Sequence, residues 1–225
     1  MRLKGEGEDA SPDRDDDGSR ALFARNRAWA DSKLRIDPAF FRRLVGQQTP
    51  RYFWIGCSDS RVPATEIVDL DPGEMFVHRN VANLAMETDP SFSATLQFAV
   101  EVLEVQHIMV VGHYGCGGIQ AAMGDETDDA IGRWLAPLRK LHRDRLGRLG
   151  REATDPHRLC EANVGAQVRA LATNPVVRKV WARGTDLVLH GWVYAIGDGL
   201  LREACSPMHG PVSGRQFGDG EENGA

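Results

Sequence analysis

Two short clusters carry most of the reactive side chains in this sequence: Cys57-Ser58-Asp59-Ser60-Arg61 and His113-Tyr114-Gly115-Cys116-Gly117-Gly118. Two cysteines and a histidine make a donor set soft enough to select zinc over magnesium or calcium. Three protein ligands leave a fourth coordination position open, the pattern of catalytic zinc; structural sites usually close with four. Asp59 could orient a water beside such a metal, and Arg61 could hold that carboxylate ionised through a bidentate pair. A bare H-x-x-C pair is a weak signal, because a buried cysteine is often only a small hydrophobe. The glycine-rich run also suggests a phosphate loop, but it lacks both the G-K-[ST] ending and the third glycine of G-x-G-x-x-G.

The flanking patterns say what must position these residues. Tyr52 to Ile55 is a short aromatic and β-branched run that ends at Gly56-Cys57, and Ile108 to Val111 is a similar run that ends at Gly112-His113. Both read as buried strands leading into loops. Met75–Val77 and Leu187–Leu189 predict two more strands, with Gly191–Ile196 either extending the last or starting a return strand. Helical spacing runs through Ala21–Leu34, Phe92–Val105, a stripe from Ile131 to Leu149, Glu161–Ala172 and Pro175–Ala182. Strands separated by helices predict an α/β fold with a largely parallel sheet. Ligands of such sheets bind at the carboxyl ends of the strands, where Cys57 and His113 fall.

With 225 residues, the chain has room for one domain with tails. The net charge of −5 gives no basic face for nucleic acid, and no run approaches the roughly 20 apolar residues of a membrane span. Residues 1–20 are charged, small or helix-breaking and are expected to form a disordered acidic arm, while 206–225 read as a polar, Gly-rich tail. The expected folded domain is 21–205. Without an apolar signal segment, the expected location is the cytoplasm, where cysteines stay reduced.

Three motifs, CSDSRVP at 57–63, HRNVAN at 78–83 and GHYGCGG at 112–118, together resemble the β-class carbonic anhydrases in order and spacing. The similarity runs from roughly residue 21 to 201. The resemblance implies one zinc per chain on Cys57, His113 and Cys116, with Asp59 and Arg61 as a dyad beside it. It also implies a central sheet of four parallel strands plus one antiparallel strand flanked by helices, with an N-terminal helical arm. In a homodimer or homotetramer, that helix would embrace a partner subunit. The implied reaction is reversible hydration of carbon dioxide to bicarbonate and a proton, by attack of a zinc-activated hydroxide. Two thiolates offset the charge of the metal, so water is acidified less than by an all-histidine set, and an alkaline working range is expected.

A bacterial-type subgroup of that family holds bicarbonate away from the catalytic centre with a Trp, an Arg and a Tyr, which Trp54, Arg79 and Tyr194 match. Bicarbonate there would favour a closed state in which Arg61 releases Asp59 and Asp59 becomes the fourth metal ligand. Cys160, Cys205 and the other histidines match no ligand position. Two other readings stay open: a hydrolase of carbon disulfide or carbonyl sulfide on the same scaffold, and a non-catalytic zinc-binding protein.

Overall fold

The structure, a computed structural model, describes residues 18–150 and 154–210. They fall into two compact units divided after Gln47. In the first unit, α1 (Gly18–Ile36) is followed by α2 (Phe40–Val45). Asp37 accepts a hydrogen bond from the Ala39 backbone N–H, and Trp29 meets Phe41 edge-on at 5.6 Å. Helix α1 buries none of its residues, and Leu22 and Phe23 are exposed.

The second unit is built on a five-stranded sheet in the order β2-β1-β3-β4-β5. Strands β1 (Tyr52–Cys57), β2 (Met75–Asn80), β3 (His107–His113) and β4 (Val188–Ala195) are parallel, and β5 (Leu200–His209) pairs antiparallel with β4. The four-plus-one sheet implied by the resemblance is thus the observed one. Strand β5 carries the chain four residues past 205, through Ser206–His209, into the stretch read as a tail. Pro207 interrupts the ladder there: Met208 pairs with Leu189 and Cys205 with Gly191, with a bulge between, as an edge strand tolerates. Gly18–Arg20 belong to α1, while the remainder of the acidic arm and the tail beyond Gly210 lie outside the described residues.

Around the sheet lie α3 (Ala64–Ile67), α4 (Pro90–Gln97) with a π-helical turn at Phe98–Val102, α5 (Gly117–Met123), α6 (Ala130–Trp134), α7 (Ala136–Leu149), α8 (Pro156–Thr173) and α9 (Pro175–Ala182). Helices α4, α8 and α9 each start on an Asx-Pro step. Asp89, Asp155 and Asn174 accept the backbone N–H two residues on, and the following proline fills the first helical position at no hydrogen-bond cost. The main core lies between one face of the sheet and these helices, with Phe53, Ile55, Phe92, Leu96, Ile108, Val110, Val164 and Val168 all buried. Helix α8 turns a stripe of Leu159, Cys160, Val164, Val168 and Leu171 onto β3 and β4. A smaller cluster on the opposite face contains Trp54, Met109 and Val111.

Candidate metal centre

Strands β1 and β3 are neighbours in parallel register, Gly56 opposite Val111, so residues 59 positions apart reach the same end of the sheet. There the ligand atoms of Cys57, His113 and Cys116 all lie within 4.8 Å of one another, and all three residues are buried. Their geometry fits zinc. The two sulfurs are 3.8 Å apart, about the separation that a tetrahedral ion needs at roughly 2.3 Å from each. His113 Nδ1 lies 3.2 Å from the Tyr114 carbonyl, which can only accept, so the proton sits on Nδ1 and Nε2 is left as the lone-pair donor. Nε2 is fully buried and has no hydrogen-bond partner among the described residues.

The surroundings favour charge on one of the two sulfurs, that of Cys57. A hydrogen bond from the Cys116 thiol lowers the pKa of Cys57, with help from the backbone N–H groups of Ala82 and Asp59. Cys116 is raised in turn, first by sharing its proton with Cys57 and then by burial. Cys116 caps the start of α5, whose Gly118 and Ile119 N–H groups pull the other way. Gly115 takes a positive φ of 72° in the turn that brings Cys116 back beside the strand end, a conformation that glycine adopts freely.

Asp59 stands at the edge of this pocket. Its Oδ1 accepts from the Arg61 backbone N–H and from Arg61 Nε, both at 2.9 Å, and its Oδ2 accepts from Arg61 Nη2 at 2.7 Å. Oδ2 is also 3.6 Å from Nε2 of His113. Arg61 therefore holds the carboxyl far below the usual carboxylate range. Arg61 Nη2 also reaches the Gly115 carbonyl at 3.3 Å, tying the two metal-bearing loops together.

Arg79 stands opposite Gly56 in the β1–β2 register and donates to two carbonyls of the first loop: Nε to Cys57 at 2.9 Å and Nη2 to Asp59 at 2.6 Å. Trp54 is wholly buried, and its indole lies across Gly56, where an added Cβ would collide with the ring nitrogen. That indole N–H has no partner among the described residues. Tyr194 packs on the Trp54 cluster and sits opposite His113 in β4. The three residues matched to a second bicarbonate site thus converge on one face of the sheet beside the metal loops.

Several positioning groups were not apparent in the sequence. Tyr114 Oη donates to Glu161 at 2.8 Å, and burial followed by that bond pushes the phenol up to about 12. Cys160, which matches no ligand position, donates its thiol to the His113 carbonyl at 3.3 Å. Asn80 bonds both ways with Leu84, and Asn163 Nδ2 donates to the Ala82 carbonyl, which together hold the turn where Ala82 and Asn83 have positive φ. The remaining histidines do not form a second three-ligand group among the described residues.

Residues 52–201 match the family model described as carbonic anhydrase. A carbonic anhydrase of Emericella nidulans is 42% identical over 185 residues, which cover 81% of this chain and 81% of that one. A Coccomyxa β-carbonic anhydrase in complex with acetazolamide superposes with a TM-score of 0.81 at 37% identity, covering 84% of this chain and 87% of the other. A tetrameric β-carbonic anhydrase from Sordaria macrospora gives a TM-score of 0.77, also at 37% identity, over 85% of this chain and 98% of its own.

Proposed function

This chain belongs to the β-carbonic anhydrase family, and from that membership we propose that its Cys57, His113, Cys116, Asp59 and Arg61 form a zinc centre that interconverts carbon dioxide and bicarbonate. The observation that carries the reading is the convergence of the three buried ligand atoms within 4.8 Å, with the Asp59–Arg61 pair beside them. When bound, zinc supplies Lewis acidity that makes a water-derived nucleophile available near neutral pH. Asp59, kept ionised by Arg61, accepts a hydrogen bond from that water and aims its lone pair at carbon dioxide. His113 keeps its metal-facing nitrogen unprotonated because the other nitrogen holds the ring proton and donates it in a hydrogen bond to the Tyr114 carbonyl. Product bicarbonate leaves, water replaces it, and the proton passes to solvent or buffer.

The direct test is stopped-flow carbon dioxide hydration on protein of known zinc content. Turnover proportional to zinc supports the assignment. Full zinc loading without turnover at any pH would overturn it, in favour of the sulfur substrates or a non-catalytic role.

Bicarbonate held by Trp54, Arg79 and Tyr194 inhibits the enzyme. The support is the unpartnered buried indole N–H of Trp54 and the grip of Arg79 on the Cys57 and Asp59 carbonyls. An anion that draws Arg79 away would loosen the segment that carries Asp59; Arg61 would then release the carboxylate, and Asp59 would join Cys57, His113 and Cys116 in holding zinc. Bicarbonate shifts the population only by as much as it prefers that second state. The enzyme works in the cytoplasm as a homodimer or homotetramer. The exposed apolar residues Leu22 and Phe23 on α1, together with the tetrameric Sordaria relative, support the oligomer.

A further inference from the structure

Helices α7 and α8 and strand β5 line an open cavity of about 390 Å³ that includes Glu161, the hydrogen-bond partner of Tyr114. Its wall carries Arg145 and Arg148 from α7, Arg158, Glu161 and Arg169 from α8, and Cys205 from β5. Four guanidinium groups thus face one carboxylate, in a chain whose overall charge is −5. Like charges gathered in a concave wall repel one another, and clefts of one sign concentrate counter-ions.

Among the described residues, little answers that charge. Glu161 gives Oε1 to Tyr114 and leaves Oε2 3.7 Å from Arg158 Nη1. Arg145, Arg148 and Arg169 form no salt bridge among the described residues, and Nε of Arg145 is fully buried without a hydrogen-bond partner. The guanidinium of Arg169 lies along the backbone of α8 over Gly165, where an added Cβ would come within 3.2 Å of Nη1. Every basic residue on the wall is arginine, whose planar fork pairs two donors with two oxygens of a phosphate; lysine offers only a point charge. Leu141 and Leu149 complete an apolar side, and the volume leaves room for more than a single inorganic phosphate.

We propose that this cavity binds a multiply charged, phosphate-bearing metabolite through Arg145, Arg148, Arg158 and Arg169. A doubly charged oxyanion relieves the repulsion among the four arginines, whereas singly charged bicarbonate matches it poorly. The site communicates with the metal loop. An anion competes with Glu161 for Arg158, Glu161 holds the phenol of Tyr114, and the Tyr114 carbonyl fixes the His113 ring.

Binding is measured by isothermal titration calorimetry on the full-length zinc protein at constant ionic strength, with pyrophosphate and inorganic phosphate as probes and chloride as control. The expected result is one pyrophosphate per chain, bound more tightly than inorganic phosphate. Its affinity should fall at least tenfold in R148A/R169A, whose two residues are exposed and whose side chains make no hydrogen bond or salt bridge among the described residues. The R148K/R169K pair keeps the charge and loses the forks, so it should weaken pyrophosphate at least threefold even if the alanine pair folds poorly. Pyrophosphate binding that is equal in wild type and both variants places the ion at the metal or elsewhere and overturns the proposal. Absence of saturable heat, or displacement by chloride at equal ionic strength, overturns it too. Because the readout is binding, the result does not depend on turnover at the metal centre.

Discussion

Asp59 Oδ2 lies 3.6 Å from the metal-facing nitrogen of His113 while both oxygens of the same carboxylate are held by Arg61. One side chain is therefore shared between a cation that keeps it in place and a pocket where it could act. The balance between those two engagements decides what the site does, and each partner can be removed separately.

Replacing Asp59 by asparagine keeps size and polarity and removes the negative charge. Turnover should fall by about 100-fold or more, the usual scale for a lost proton-handling group, with zinc content unchanged. Because Arg61 holds the Asp59 pKa well below the normal carboxylate value, the wild-type carboxylate stays ionised throughout the mildly acidic range. Any loss of rate near pH 6 should then survive in D59N. An acid limb that disappears in D59N would show that Asp59 itself titrates there.

Cys116→Ser exchanges a soft donor for a weak hard one at nearly constant volume. Zinc affinity should drop at least tenfold, and activity with it, as read by metal analysis after dialysis against a chelator. Since zinc binds the folded state, stripping the wild type should also lower its melting temperature, and restoring zinc should recover it. A stripped protein with unchanged melting and turnover would remove the metal from the mechanism.

Trp54→Phe deletes the buried indole N–H and retains an aromatic ring, whereas Trp54→Ala would cost about 3–5 kcal/mol of core packing and confuse the result. Tyr194→Phe removes only a hydroxyl. In each variant, bicarbonate inhibition should weaken by roughly tenfold, the value of a hydrogen bond to a charged ligand. Inhibition curves that superpose on wild type would confine Trp54 and Tyr194 to the core.

Acid should destabilise the fold through histidines outside the metal centre. His107 Nδ1 and His190 Nε2 are 3.2 Å apart, and burial lowers both pKa values, with each one's cationic neighbours adding to the effect. Burial likewise lowers His78 and His142. A base whose folded pKa is lowered takes up fewer protons folded than unfolded. Its contribution is therefore complete above the unfolded value of 6.5 and is lost as pH falls below it. The urea midpoint should fall between about pH 7 and pH 5.5, and less steeply in His190→Gln. A flat wild-type profile over that range would contradict the burial argument.

The strands β1 and β3 and the loops after them were legible because each is a contiguous apolar run that ends in glycine and a reactive residue. Helix starts were less so. Helical spacing placed two of them at Phe92 and Glu161, while the caps Asp89-Pro90 and Asp155-Pro156 begin α4 and α8 two and five residues earlier. The Asx-Pro steps were the available signal. Strand β5 hardly shows in its own residues: Leu200–His209 has no apolar–polar alternation and contains Pro207, and it becomes a strand by pairing with β4 along one edge.

By itself, the sequence determined the donor types, their order along the chain and the local Asp59–Arg61 pair, because those depend on residues within a few positions of one another. Only the tertiary structure decided that Cys57 and Cys116 stand 3.8 Å apart, that Glu161 accepts the Tyr114 hydroxyl's hydrogen bond, and that four arginines from two helices face a common cavity. Those relationships join residues tens of positions apart. They exist because burying one face of a parallel sheet under α8 sets which strand ends and helix faces meet, and no local pattern encodes that choice.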